Sequence, residues 1–425
     1  MTSTRKPIRI VDQPCGSGKT TKLLQSFNPK YKYLVVVPLL SEVKRVIKGA
    51  CVPFVEPKDA SGTKRESLET HLDEGLNIVT THAMYQRVAC LARSGKLEDY
   101  HIIIDEVPDT CASVAGVTTT SFQEFYLGRG YATLSPDNRI LATEKWMNDC
   151  DNTSDTLSPE LFKLANAGML HLVSGKFFMW ALPIELLTKA SSFTVYTYMA
   201  DGSMLVPYLK KLGVDVDKDP PVDLEFRKRA KELIEIRDIP ALGKFNLSYT
   251  KQTDPNNQKK YGRIVGSALK NIKQRQIIKQ DGQSDMSRVM ITCAKANWFH
   301  NGKSTGDKIK TGHFAKNSRM FDRAQWVANT TRGTNDYIDC THLIYLYDQY
   351  MNTYIKNWLG PNSDTNAQDR YALTELIQWV YRSRVRRGEP IVLYLPSKRM
   401  RRLLNTWLDA GASNIEHKVS QQLAA

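Results

Sequence analysis

The first half of the chain alternates uninterrupted apolar runs with stretches of helical period. Tyr33 to Val37 is apolar throughout and stops at Pro38, the pattern of a parallel strand buried on both faces. Leu39 to Ile47 then takes helical spacing. Leu76 to His82 reads as another strand, closing on the small hydroxyls of Thr80 and Thr81. His101-Ile102-Ile103-Ile104 is a third, and it ends in two adjacent carboxylates, Asp105 and Glu106. A shorter β-like run, Ile8 to Val11, precedes them all. Strands alternating with helices predict an α/β fold with a doubly wound parallel sheet. In such sheets the ligand sits at the carboxyl ends of the strands. Residues 13–20, Pro38, Thr80 to His82 and the Asp105-Glu106 pair would converge there.

Residues 110–190 carry few chemical signals. Leu157 to Met169 has a helical pattern with a Ser158-Pro159-Glu160 start, and Phe177 to Leu182 has core composition. Phe193 to Met199 reads as a strand with hydroxyls at its tip. Between Leu212 and Ala241 the chain turns polar, and Asp215 to Pro221 has the composition of a linker. Pattern resumes with a basic amphipathic segment from Asn256 to Gln283, whose apolar face is Ile264, Leu269, Ile272 and Ile277. Strands follow at Ser287 to Cys293, His342 to Tyr347 and Ile391 to Leu395. Helices are predicted from Tyr371 to Val380 and from Ser397 to Leu408, and Asn301 to Gly312 has loop composition. The predicted organisation is a first domain over 1–215 with an insertion at about 110–190, a linker region over 216–240, and a second domain over 241–425.

Composition narrows the class. A chain of 425 residues has room for two or three domains, and 41% hydrophobic with 24% charged residues is ordinary for globular proteins. No run approaches the roughly 18 apolar residues of a membrane helix, and the N-terminus has no apolar signal core. Seven scattered cysteines without a CxxC pair argue for reduced thiols in a cytoplasmic compartment and against a zinc site. The net charge of +15 is gathered mostly in the second half, at Arg227 to Arg229, Lys259-Lys260, Lys270 to Arg275, Arg382 to Arg387 and Lys398 to Arg402. That asymmetry points to a polyanionic partner such as nucleic acid, although each cluster alone reads as a solvated helix face.

The chemistry-bearing stretch is Gln13-Pro14-Cys15-Gly16-Ser17-Gly18-Lys19-Thr20, with Thr21 opening a helix behind it. Strand, glycine turn, Lys-Thr and helix form the context of a phosphate loop. Backbone N–H groups over Cys15 to Thr21 would cradle phosphates, Lys19 would neutralise their charge and Thr20 would hold Mg²⁺. Asp-Glu after a strand is by itself an ordinary loop start. Behind a phosphate loop, Asp105 reads as a metal carboxylate and Glu106 as the group that orients and deprotonates water. Thr80, Thr81 and His82 read either as backbone-contacting residues or as a strand end. Thr330 to Tyr337, including Thr331, Arg332 and Gly333, reads as a turn or as a phosphate-binding loop. Arg382, Arg384, Arg386 and Arg387 suit ion pairs or a γ-phosphate. Trp326, Trp379 and Tyr381 read as core, with base stacking as the alternative.

Taken in order, these segments resemble superfamily 2 helicases of the DEAD/DEAH type, and more closely the small helicases of tailed bacteriophages. QPCGSGKT resembles motif I, VVVPLLSEV motif Ia, IIIDEVPD motif II in a DExx form, TTRGTNDY motif V and QWVYRSRVRRG motif VI. NIVTTHAMY is similar to the segment before motif II, and VYTYM stands where motif III belongs. The resemblance implies two tandem RecA-like domains with ATP in the cleft, and ATP and Mg²⁺ as cofactors. It also implies a largely sequence-independent nucleic-acid partner, DNA in preference to RNA, and replication or recombination proteins as further partners. By position it makes Lys19, Glu106, Gln378, Arg382 and Arg386 catalytic, with Arg384 close behind Arg386 as the second arginine. It makes Thr20 and Asp105 metal ligands, and Gly333 and Asp336 (or Asn335) part of a nucleotide-linked loop. Pro38, Thr80, Thr81, His82, Thr197, Thr331 and Arg332 fall in the nucleic-acid motifs. A viral DNA-packaging motor would share the first two motifs, but would normally carry a clustered-carboxylate nuclease domain that is not evident after residue 300. An ATP-gated binding protein would not need the intact Lys19, Thr20, Asp105 and Glu106.

Overall fold

The computed structural model describes residues 6–59, 62–149, 157–299, 312–318, 323–331, 333–360 and 366–423. The apolar runs of the first half form β1 (Ile8–Asp12), β2 (Lys32–Val37), β3 (Ile78–Thr81) and β4 (Tyr100–Asp105). The insertion contributes β5 (Cys111–Ser113), β6 (Ala132–Leu134), β7 (Ile140–Ala142), β8 (Leu170–Val173) and β9 (Phe177–Ala181). After them come β10 (Ser192–Thr197) and β11 (Val216–Lys218). Six of these strands make one sheet in the order β11-β1-β10-β4-β2-β3, with every pair parallel. The Asp-rich stretch thus supplies the edge strand β11, and its Asp217 takes the Arg9 guanidinium at 2.9 Å.

The second half forms β12 (Ile234–Arg237), β13 (Val289–Thr292), β14 (Gln325–Trp326), β15 (His342–Tyr345) and β16 (Ile391–Tyr394). Their order is β12-β16-β15-β13-β14, again all parallel. The chain is therefore α/β with tandem RecA-like folds. One compact unit holds Met1–Asp12, Gly18–Pro220 and Met351–Thr365; the other holds Gln13–Ser17, Pro221–Tyr350 and Asn366–Ala425. The stretch of loop composition, residues 301–311, lies outside the described residues.

Each sheet is covered by helices whose apolar stripe the sequence sets. In the first unit Leu23 and Leu24 of helix Lys19–Leu24 and Val43 and Val46 of helix Leu40–Gly49 close over Val35, Val37, Val79 and Ile103. In the second unit helix Gln258–Asn271 lays Val265, Ala268 and Leu269 onto Ile291, Ile344 and Tyr394. Of the aromatic alternatives, Trp379 and Tyr381 are core, and Trp326 is partly exposed with its ring packed against the core. Trp379 is fully buried and meets the Tyr345 ring at 5.2 Å, Tyr381 stacks on Phe226 at 4.6 Å, and Trp326 Nε1 donates to the Cys293 carbonyl at 3.1 Å.

The insertion carries a core of its own. Its antiparallel strands β5-β9-β8 and the hairpin β6-β7 enclose Phe122, Tyr126, Trp146, Leu161 and Phe178. Trp146 is wholly buried, 5.0 Å from the Tyr126 ring and 5.6 Å from Phe162. Trp146→Ala should cost about 3–5 kcal/mol. Hydrogen exchange should show lost protection over residues 111–181 before any loss in β2 and β4. Unaltered exchange in the insertion would show that this cluster does not hold it together.

Candidate nucleotide site

Parallel pairing brings three strand tips together. β10 lies between β1 and β4, with Asp12 opposite Thr197 and Tyr196 opposite Asp105. Neighbouring strands are about 4.8 Å apart, so the tips of β1 and β4 are roughly 10 Å apart. From Asp12 the chain enters the glycine turn and then helix Lys19–Leu24. Ser17 N–H donates to the Pro14 carbonyl at 3.3 Å. Gly16 and Gly18 take φ of 76° and 78°, a left-handed conformation that glycine adopts without strain. Gly16, Ser17, Gly18 and Thr21 are exposed, whereas Cys15, Lys19 and Thr20 are partly buried.

Two hydrogen bonds tie this loop to the neighbouring tips. Lys19 Nζ donates to the Thr197 carbonyl at 3.0 Å, and Thr20 Oγ1 donates to Asp105 Oδ2 at 3.0 Å. Burial first, and the adjacent Glu106 second, push the Asp105 carboxyl up to about 6; the Thr20 bond and Lys19 oppose them. Glu106 itself has φ of 64° while its N–H donates to the Tyr196 carbonyl at 2.9 Å. A left-handed non-glycine residue costs of order 1–3 kcal/mol and persists where the surroundings over-determine it, often at functional sites.

The remaining first-unit candidates divide by exposure. His82 Nε2 lies 3.0 Å from the Asp105 carbonyl oxygen, which links the segment before motif II to the acidic pair. Thr81 caps the short helix His82–Tyr85 by accepting from Met84 N–H at 3.4 Å. The side chains of Thr80 and Thr197 are buried, while Pro38, Thr81 and His82 are partly exposed. Thr197 meets Lys19 through its carbonyl, not its hydroxyl.

Sequence reasoning missed Asp12. This buried carboxylate accepts from Met199 N–H at 2.8 Å and from Ala200 N–H at 2.9 Å. Burial raises its pKa and the two N–H bonds pull it back. It holds the turn after β10, where Met199 takes φ of 59°. The available signal was an acid closing an apolar strand immediately before the glycine turn.

The second unit carries the other candidates. Gly333 has φ of 71°, Thr331 N–H donates to the Ala328 carbonyl at 3.0 Å, and Asp336 N–H donates to Thr334 Oγ1 at 3.1 Å. Asn335 and Asp336 are exposed, and Arg332 lies outside the described residues. Gln378, in helix Ala367–Val380, and Arg382 just beyond it are buried. In the next turn Arg384 Nε donates to the Pro390 carbonyl at 2.6 Å, and Arg387 pairs with Asp339 at 2.9 Å and Glu389 at 3.0 Å. Arg386, between them, has no side-chain hydrogen bond or ion pair among the described residues.

The donor set suits magnesium. A hydroxyl and a carboxylate already in contact are hard oxygen ligands, and Mg²⁺ sites typically add only phosphate oxygens and water to one or two carboxylates.

Comparisons with known proteins agree on the class of fold. Structures described as XPD_APO and XPD_Helicase superpose with TM-scores of 0.51 and 0.50, at 14% and 12% identity, each covering 96% of this chain and 95% of the other. These are superfamily 2 helicases, so the chain has a helicase-like fold. Among sequences, it is 24% identical over 421 residues to the SPbeta prophage-derived uncharacterized protein YonV of Bacillus subtilis (strain 168), covering 95% of this chain and 98% of that protein. The family described as YonV C-terminal Rossmann-like domain matches residues 228–408.

Asp105 offers a test that needs no ligand. Its folded pKa lies above the ordinary carboxylate value, so the folded state holds the extra proton between about pH 4 and 6 and loses stability as pH rises through that window. Asp105→Asn should leave stability unchanged near pH 4 and raise it at pH 8 by about 1–3 kcal/mol, at about 1.4 kcal/mol per pKa unit. Denaturant titration at both values measures it; a variant less stable at pH 8 would contradict the assigned burial cost.

Proposed function

We propose that the chain is an ATP-dependent nucleic-acid helicase or translocase that acts on DNA in preference to RNA, in phage replication or recombination. The observation that carries the reading is the pairing of Lys19 with the Thr197 carbonyl and of Thr20 with Asp105, at one edge of a parallel sheet in a helicase-like fold. Lys19 exchanges the carbonyl for phosphate oxygens when ATP enters, which releases the end of β10. Thr20 and Asp105 would hold Mg²⁺, which would supply charge neutralisation at the phosphates. Glu106 orients a water and takes its proton as the water oxygen attacks the γ-phosphorus and the bond from that phosphorus to the bridging oxygen breaks, giving ADP and inorganic phosphate. Gly333 and Asp336 contribute to a nucleotide-linked loop of the second unit, which also carries Gln378 and Arg382 as further catalytic candidates.

Arg382 is the leading arginine finger, and Arg386 is a better second arginine than Arg384 or Arg387, because those two are already committed to their own turn. A finger guanidinium stabilises charge that develops on the γ-phosphoryl oxygens. Pro38, Thr81, His82 and Thr331 lie in segments that would contact a sugar–phosphate backbone, without base readout. The prophage-derived relative supports the phage setting.

Lys19→Ala and Glu106→Gln should each lower ATP turnover by at least about 10²-fold. Arg386→Ala should lower it by about 10³-fold or more with nucleotide affinity kept, whereas Arg384→Ala stays near wild type. Steady-state hydrolysis with and without single-stranded DNA reads all four. Normal turnover in the Lys19 and Glu106 variants would refute the site, and absence of any stimulation by DNA or RNA would refute the helicase reading. Strand displacement on duplexes with 3′ and 5′ tails then separates helicase from translocase.

A further inference from the structure

The basic clusters of the second unit differ in what surrounds them. Outside residues 255–280, several cations are spent on carboxylates. Arg227 pairs with Asp223 at 2.9 Å, Arg387 with Asp339 and Glu389, Arg399 with Asp348 at 3.1 Å and Asp369 at 2.8 Å, and Arg402 with Asp369 at 3.2 Å. Arg401 likewise bonds to Asp238. Helix Gln258–Asn271 and its π-helical continuation Ile272–Gln280 are the exception. Residues 255–280 contain seven basic side chains and no acidic one. Lys259, Lys260, Arg263, Lys270, Arg275 and Lys279 are exposed, and none of the six has a side-chain hydrogen bond or ion pair among the described residues. The flanking carboxylates do not compensate: Asp281 is held by Arg237 at 2.6 Å, and Asp254 accepts from Asn257 at 2.8 Å.

The geometry is that of a one-sided helix. The opposite face, including Tyr261, Val265, Leu269 and Ile272, is buried against the sheet, so the charges can point only outward. Lys259, Arg263 and Lys270 fall on one stripe about 16 Å long at 1.5 Å rise per residue. The one aromatic residue of the segment, Tyr261, is in the core, so the helix has no base-stacking platform of the kind single-strand binders use. The helix crosses from the carboxyl end of β12 to the amino end of β13, so it runs along the sheet's face, whereas the Gly333 turn precedes the amino end of β15.

We propose that this helix is a second nucleic-acid surface that binds the phosphate backbone of double-stranded DNA. Duplex DNA presents a rigid array of about one charge per 1.7 Å, which matches a stripe of exposed cations that have no carboxylate partner among the described residues. The inference does not depend on ATP hydrolysis. The test compares the full chain with the Lys259→Ala, Lys260→Ala, Arg263→Ala, Lys270→Ala variant, titrating a fluorescent blunt duplex across salt concentrations without nucleotide. Each lost phosphate contact removes about 0.9 from the slope of log K against log salt, so the slope should become shallower by about 3 to 4 and affinity near 0.1 M salt should fall at least tenfold. Arginine at the three lysine positions, with Arg263 kept, should restore both, which separates charge from folding. Hydrolysis stimulated by single-stranded DNA should be unchanged, so failure here is distinguishable from failure of the helicase reading. Unchanged duplex affinity and slope would overturn the proposal. Polyglutamate competing as well as duplex at equal charge would also overturn it and assign an acidic protein instead.

Discussion

Everything chemical in the first unit depends on the register of three parallel strands. β10 has to sit between β1 and β4 with Thr197 beside Asp12 and Tyr196 beside Asp105. A one-residue slip would turn every side chain of β10 to the other face. It would also carry the Met199 and Ala200 N–H groups away from the Asp12 carboxylate and the Thr197 carbonyl away from Lys19. The alternation of β10, with Phe193, Val195 and Thr197 buried and the residues between them partly exposed, prevents that slip. Leu23 and Leu24 then pin the helix that begins at Lys19 onto the same sheet. Hydrophobic burial, which has no direction of its own, thereby sets the position of two directional hydrogen bonds.

The same few residues combine several local disfavours. Asp105 and Glu106 are neighbouring carboxylates, Asp12 is a buried one, and Glu106 and Met199 both take left-handed backbone. Each liability has one local compensation: Thr20 for Asp105, two N–H groups for Asp12, and the Tyr196 carbonyl for the Glu106 N–H. None of these compensations is needed to close the core, which lies on the valines and isoleucines beneath. A site that departs from local preference while the scaffold obeys it is what selection for function produces, and it explains why a stabilising change at such a site removes activity.

The strands were legible because a parallel sheet buried on both faces writes itself as continuous apolar runs, as in Tyr33 to Val37 and Ile102 to Ile104. The glycine turn was legible because Gly16 and Gly18 occupy backbone conformations that other residues avoid. Strand order was not legible. Periodicity reports burial and not partners, so nothing in Ser192 to Thr197 announced that it lies between two strands closer to the N-terminus. β11 was hidden for a different reason. It is a three-residue edge strand whose outward side chains are charged, and edge strands are kept polar against unwanted pairing. Asp12 was invisible because its partners are backbone N–H groups, which carry no residue identity. The arginines after Gln378 could be counted from sequence, but which of them is engaged depends on Pro390, Asp339 and Glu389, and folding alone decides that.

Net charge likewise becomes informative only after pairing is known. The second unit uses arginine where a planar, multidentate cation fastens secondary structure: Arg399 reaches Asp369, Asp348 and the Gln349 carbonyl at once, and Arg237 bridges β12 to Asp281 while meeting the Tyr394 ring. Such arginines contribute little to the field outside the molecule, since their charge is cancelled within a few ångströms. Five of the seven cations from Lys259 to Lys279 are lysine, a compact, well-hydrated charge on a flexible stem that gains less from fixed geometry. Lys259, Lys260, Lys270 and Lys279 make no side-chain hydrogen bond or ion pair among the described residues, so packing does not explain their number. Their mutual repulsion is an unopposed cost in the free protein, relieved only by counterions or by a polyanion that displaces them. About half of the charge excess, seven of fifteen, is therefore a local property of one segment, residues 255–280.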